Sequence, residues 1–210
     1  ADNAGEFTRQ RDKIIEAICQ IDADIYGLVE IENNYTAGAS SAIADLVNGL
    51  EASSTCTSNG RVDFEYIDPG SNIGGDQIAV GFIYDADTVQ QAAGTTIETL
   101  EDSDLSGIPG APSVSPSDPI FNGVNRVPLA VTFEEISSGE AFTAVVNHFK
   151  SKGGSGSGGD ADQNDGAGAF NEVRDRASQA IAAWLATDPT SSGDPDFMIL
   201  GDLNAYAEED

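Results

Sequence analysis

The chain has 210 residues, with 9 Lys+Arg against 36 Asp+Glu for a formal net charge of -27, and 40% of it is hydrophobic. That apolar content excludes a disordered acidic tail, so the excess acid must coat a folded surface. No apolar run approaches the roughly 20 residues that a bilayer crossing needs. Such a surface repels nucleic acid unless the cations are gathered or divalent metal screens the contact, and it suits a saline or extracellular setting.

The length allows one domain with a sizeable core. From Glu6 to Ile21 the residues Phe7, Ile14, Ile18 and Ile21 recur at helical spacing, which predicts an amphipathic helix with those side chains inward. "IYGLVEI" after the turn "DAD" reads as a buried strand. Ala42, Ile43, Leu46, Val47 and Leu50 mark a second helix. "VDFEYI" alternates and predicts a half-exposed strand with Val62, Phe64 and Tyr66 on one face. "IAVGFIY", Ile78 to Tyr84, is continuously apolar and belongs at the centre of a sheet.

Residues 101–120 form a long Pro/Ser/Gly/Asp loop. "PLAVTFEEI", "SSGE" and "AFTAVVNHF" then predict a β-hairpin. The stretch "SKGGSGSGGDADQNDGAG" reads as mobile. Phe170, Val173, Ala177, Ala180, Ile181, Trp184 and Leu185 give a third helix, and "DFMIL" is the last strand. The pattern is α/β, with helices outside mixed strands.

Cys19 in a helix and Cys56 in a polar loop permit one intrachain disulfide, and their pairing is open at this level. Arg126, Lys150, Lys152, Arg174 and Arg176 are five of the nine cations, a hint of an anion-binding patch.

Glu30, His148 and the pair Asp202/Asn204 each follow an apolar run. If those strands lie side by side, all four side chains emerge on one edge of a sheet, where α/β folds build sites. Hard oxygen ligands suit Mg²⁺ or Ca²⁺, and an imidazole can move a proton or support developing charge, as metal-assisted attack on a phosphodiester requires. Singly, each has an ordinary reading: a glutamate where a sheet meets water, a Gly-Asp-Asn turn, a lone structural histidine.

"DADIYGLVEIENN", "NRVPLAVTF", "VVNHFKSKG", "RDRASQAIAAWL" and "MILGDLNAYAEED" occur in this order. Together they resemble the endonuclease/exonuclease/phosphatase superfamily, with its deoxyribonuclease I-like fold, and within it the secreted bacterial nucleases. The resemblance implies an α/β sandwich of two mixed β-sheets flanked by helices. It makes Glu30 the metal-binding glutamate, with Glu32 the lesser candidate. His148 becomes the catalytic histidine, which acts as general acid or charge stabiliser at the scissile phosphate. Asp202 becomes the aspartate that orients or activates the attacking water, and Asn204 the asparagine that binds phosphate and helps hold metal. Arg126 looks like the arginine that contacts substrate phosphate, against a plain surface arginine before a strand. Lys150 and Lys152 are added as backbone contacts from their charge alone.

The expected cofactor is Mg²⁺, with Ca²⁺ or Mn²⁺ as alternatives. The expected substrate is DNA, with RNA as a second candidate, cleaved by a secreted monomer whose signal peptide lies outside this segment. A small phosphoester or phospholipid substrate, or a non-catalytic calcium-binding module, are the competing readings.

The family pattern also has an opening strand that ends in asparagine and a closing aspartate-histidine pair, neither of which is in these 210 residues. The expectation is therefore one domain over residues 1–210, incomplete at both ends and inactive or nearly so in isolation. Asp160, Asp162 and Asn164 alternate like the start of a calcium loop. Asp165 nevertheless stands where an EF-hand takes glycine, which leaves a solvated loop as the competing reading.

Overall fold

The computed structural model describes residues 3–206. Two sheets face each other. In the first, β3 (Ile78–Asp85) lies between β1 (Ile25–Glu32) and β2 (Phe64–Tyr66), all antiparallel. The second runs β4 (Val89–Gln91), β6 (Leu129–Glu135), β7 (Ala141–His148), β8 (Phe197–Asp202), with β5 (Glu98–Thr99) also paired to β6. It is mixed, because β8 runs parallel to β7. The deoxyribonuclease I-like sandwich implied by the resemblance is therefore present, although the first sheet is wholly antiparallel.

Between the sheets, Phe82 and Tyr84 of β3 meet Phe133 of β6 edge to face, with centroids 5.4 and 5.5 Å apart. Gly27 on β1 allows a tight approach: a Cβ there would collide with Leu200 of β8 and press on Val146 of β7. Because β7 side chains alternate, Val146 and His148 share the face turned to the first sheet, as do Leu200 and Asp202 on β8. The contact at Gly27 thus fixes the face on which the polar strand ends emerge.

Among the described residues, four α-helices lie outside the sheets. They are α1 (Ala4–Ile21), α2 (Ala42–Glu51), the short α3 (Ser54–Ser58) and α4 (Asn171–Leu185). The buried stripe of α1 is Ile15, Ile18 and Cys19, whereas Phe7, Ile14 and Ile21 are exposed. The inward face is thus rotated from the one the spacing of Phe7, Ile14 and Ile21 suggests. Packing against α2 and α3 decides this, helped by the Cys19–Cys56 disulfide that ties α1 to α3. Closing a loop of 37 residues restricts the unfolded chain by on the order of 4 kcal/mol in the chain-entropy model.

The strand expected at "VDFEYI" shrinks to Phe64–Tyr66, and Val62 is exposed. The Gly/Ser/Asp stretch expected to be mobile is bonded into the fold. Arg174, only 3% exposed, donates to the carbonyls of Ala167 and Ala169 at 2.9 and 2.8 Å, and Lys152 Nζ donates to Ala167 at 2.6 Å. Asp160 caps α4 by accepting from the Val173 amide at 2.9 Å.

Arg61 is the main electrostatic joint. Its guanidinium bonds Asp22 at 2.9 Å, and Asp24 and Asp85 at 2.6 Å each, joining the α1 exit to the end of β3. Burial alone would lower the Arg61 pKa, but the bonds to Asp24, Asp85 and Asp22 outweigh it and hold the group charged. The Asp24 carboxyl is held below its ordinary 3.8, first by the Arg61 hydrogen bond. Arg61→Ala leaves Asp85, 1% exposed, without its cation, and is expected to cost about 3–5 kcal/mol. A depressed carboxyl pKa contributes stability above the unfolded value that is lost as pH falls through the folded one. Urea unfolding across pH should therefore show the gap between wild type and Arg61→Ala narrowing below 3.8. A gap that stays constant down to pH 2 would contradict this role.

Candidate active site

Three strand ends converge. Glu30 sits in a β-bulge of β1, where the register slips between Leu28 and Ile31 so that two residues oppose one on β3. Its φ of 58° lies in the left-handed region, which costs a non-glycine residue on the order of 1 kcal/mol or more. The carbonyl of Val80, opposite the bulge, accepts from the buried Tyr35 hydroxyl at 2.8 Å. Burial pushes the Tyr35 phenol well above its usual range, so it stays a donor. The bulge turns the Glu30 carboxylate, 68% exposed, toward His148, whose Nε2 lies 4.0 Å from Oε1.

His148 closes β7 directly opposite Asp202 of β8, and its carbonyl accepts from the Arg126 amide at 2.9 Å. The imidazole is 7% exposed, and its Nδ1 is buried with no hydrogen-bond partner among the described residues. The Phe149 amide donates to the Asp202 carbonyl at 2.8 Å, and Asn204 Nδ2 donates to the Phe149 carbonyl at 2.9 Å. Asn204 has φ 49°, and its own amide bonds Asp202 Oδ1 at 2.9 Å. "GDLN" thus begins as the end of β8 and turns at Asp202–Asn204, anchored to the histidine strand.

Glu30, His148, Asp202 and Asn204 thus meet at one rim, but from two facing sheets rather than one sheet edge. Arg126 joins them through the main chain, and its Nη2 lies 3.5 Å from Asp76. Lys150 places its Nζ 4.3 Å above the Phe170 ring, and its amide is held by Asn125. Lys152 stacks over Tyr206, and burial, then nearby Arg174, lowers its pKa. The suspected cationic patch loses two members. Arg174 is committed to carbonyls, and Arg176 pairs with Asp118 at 2.6 Å. Glu32 lies beyond the bulge, opposite Ile78.

Among the described residues, no three His, Cys, Asp or Glu converge to hold a metal. In the suspected calcium loop, Asp160 caps α4, and Asp162 accepts from the Asn164 amide at 2.8 Å in a local turn. Mg²⁺ asks less of a protein, being commonly bound by one or two carboxylates with water and substrate phosphate completing the octahedron. By donor type, the Glu30 and Asp202 carboxylates and the amide oxygen of Asn204 are the hard oxygen ligands that such a site would use.

Residues that the sequence did not single out support this rim. Asn125, 1% exposed, bonds Ile120, Lys150 and Val173, and Asn147 bonds Val145 and Leu200. Their signal was an amide side chain inside or beside an apolar run, where a polar group must be buried and bonded.

No family model and no curated protein matches the sequence. Solved structures do. The 2′,3′-cyclic phosphatase ANGEL2 superposes with a TM-score of 0.53 at 13% identity, over 94% of this chain and 44% of its own. An endonuclease/exonuclease/phosphatase from Bacteroides vulgatus gives 0.52 at 16%, over 99% and 63%. The chain carries the endonuclease/exonuclease/phosphatase fold. The human Nocturnin catalytic domain, with bound sulfate, agrees at 0.53 and 13%, over 98% of this chain and 60% of that one. This chain spans 44% to 63% of the length of these three structures.

Within this fold, Gly201 brings β8 against β7. It has φ 123°, and a Cβ would strike the Asn147 backbone. Gly201→Ala is expected to cost about 3 kcal/mol, read as a lowered urea midpoint with unchanged slope. Wild-type stability in that variant would show that β8 can shift freely.

Proposed function

We propose that this chain forms the catalytic scaffold of a metal-dependent phosphodiester hydrolase, an extracellular nuclease acting on DNA or RNA. The observation that carries the reading is the meeting of Glu30 and His148 across two sheets, 4.0 Å apart, with Asp202 directly beside His148. The bulge that aims Glu30 has a backbone cost that packing alone does not explain, and such strain gathers at functional sites. The Cys19–Cys56 disulfide supports an oxidising, extracellular compartment.

In this reading a water attacks phosphorus in line with the leaving oxygen. Asp202 orients the water and accepts its proton, while His148 Nε2 supports the charge on the phosphoryl group and supplies a proton to the leaving oxygen. Arg126 and Asn204 position the phosphate. Mg²⁺, when held by Glu30, Asp202 and Asn204, would neutralise charge on the phosphoryl and leaving oxygens.

One observation favours a second substrate class. With a net charge of -27, the surface repels a long polyanion more than a small phosphoester. ANGEL2, a 2′,3′-cyclic phosphatase, illustrates small-phosphate chemistry on this fold.

Full-length protein should be assayed on plasmid DNA, RNA, bis(p-nitrophenyl) phosphate and phosphatidylcholine headgroup esters, with Mg²⁺ and with EDTA. The expectation is EDTA-sensitive polymer cleavage that rises with Mg²⁺ beyond its cofactor requirement, through screening. His148→Ala should lower kcat by about 10²–10⁴-fold while far-UV circular dichroism is unchanged. Turnover of small esters alone would favour the second class, and full activity in His148→Ala would refute the catalytic reading.

A further inference from the structure

Arg126, in the loop before β6, is tied to the candidate site by its amide, which donates to the His148 carbonyl at 2.9 Å. Its guanidinium is oriented by Asp76 Oδ2, 3.5 Å from Nη2, with Nη1 donating to the Val124 carbonyl at 3.4 Å, while its Nε is buried with no partner among the described residues. Asp76 lies in the glycine-rich loop "NIGGDQ", where Gly74 has φ 59°; Asn72 at its start accepts from Thr36, and Asp76 Oδ1 accepts from the Ile78 amide at 3.3 Å, which leaves Oδ2 for Arg126. The side chain that spans both ends of the 73–76 segment is that of Asn33, three residues beyond Glu30. Asn33 Nδ2 donates to the carbonyls of Ile73 at 2.7 Å and Asp76 at 2.8 Å, and its Oδ1 accepts from the Ile73 amide at 2.9 Å. Its own amide donates to Gln77 at 2.9 Å. One side chain therefore makes three bonds across both ends of a four-residue loop.

We infer that Asn33 is a positioning residue. Resting on the function proposed above, it clamps the 73–76 loop so that Asp76 presents the Arg126 guanidinium to the non-bridging oxygens of a substrate phosphate. The same strand end thus sets two groups of opposite charge: Glu30 directly through the bulge, and Arg126 indirectly through Asn33 and Asp76. A bidentate guanidinium contact depends on orientation as much as charge, so loosening its carboxylate partner weakens binding before it slows chemistry. Asn33 makes no contact with substrate in this scheme. Its loss appears in KM rather than kcat.

The test is a double-mutant cycle in the full-length protein between Asn33→Ala and Arg126→Ala. It is read by Mg²⁺-supported hydrolysis and, independently of turnover, by inorganic phosphate binding in NMR titration. Asn33→Ala should raise KM and weaken phosphate binding about 10-fold with kcat nearly unchanged, and should add nothing in the Arg126→Ala background. Asp76→Asn leaves the Asn33 bonds to the main chain in place and serves should Asn33→Ala fail to fold. It is expected to give the same pattern, again without effect once Arg126 is absent. Effects that multiply with those of Arg126→Ala, or a fall in kcat at constant KM, would overturn the clamp and point to disturbance of Glu30 instead. If the protein binds phosphate through this chain but hydrolyses none of the esters, the clamp stands and the hydrolase reading fails. If phosphate binding is indifferent to Asn33, the clamp fails whatever the activity.

Discussion

The tight approach of the two sheets at Gly27, against Leu200 and Val146, is the constraint on which the candidate site depends. Strand β1 can lie that near β7 and β8 only because residue 27 has no side chain. From this contact each strand runs a few residues to its polar end: three from Gly27 to Glu30, and two each from Val146 to His148 and Leu200 to Asp202. The spacing of two keeps His148 and Asp202 on the inner face by strand alternation. A spacing of three would turn Glu30 away, and the bulge between Leu28 and Ile31 restores its direction. Close packing and a single register slip together convert three strand ends into one rim.

That arrangement is maintained by backbone conformations that packing alone would not choose. Glu30, Gly201 and Asn204 all have positive φ, and each is over-determined by a neighbour. Tyr35 satisfies the carbonyl opposite the bulge, the Asn147 main chain confines Gly201, and Asn204 is bonded on both sides to the Asp202–Phe149 segment. Side-chain amides replace the missing regularity: the buried Asn125 and Asn147 each cross-link carbonyls from separate segments, and the half-buried Asn33 spans the 73–76 loop. In a low-dielectric interior such bonds are costly to break, so the rim is stiff where the strands themselves are irregular.

Periodicity made α2, β3 and the β6–β7 hairpin legible because in each the apolar pattern and the tertiary face agree. It misled on α1, where Ile15 and Cys19 rather than Phe7 and Ile14 are buried, since α2, α3 and a disulfide select the face. Strands β4 and β5 have three and two residues, too few for alternation to register, and exist only through pairing with β6. The rim residues were legible as polar groups after apolar runs. Their distribution over two sheets was not legible from spacing, which put them on one sheet edge; it follows from β1 pairing with β3 while β7 pairs with β8. The supporting asparagines were illegible because a side chain that bonds main chain forty residues away leaves no periodic trace.

Charge placement bears on how an acidic protein could handle a phosphate. Of the five clustered cations, Arg174 is spent on carbonyls, Arg176 on Asp118, and Lys150 and Lys152 lie over aromatic rings, so Arg126 is the one aligned with the histidine strand. Asp76 beside it partly cancels its charge, which lowers its long-range pull on a polyanion while fixing its orientation at short range. On the function proposed above, such a site would recognise a phosphate by geometry more than by field. Approach of a nucleic acid must then be assisted by screening cations, whereas a small phosphoester meets far less repulsion on the way in. In the proposed reading, the substrate class would therefore turn on the acid surrounding the rim, and the chemistry on the rim itself.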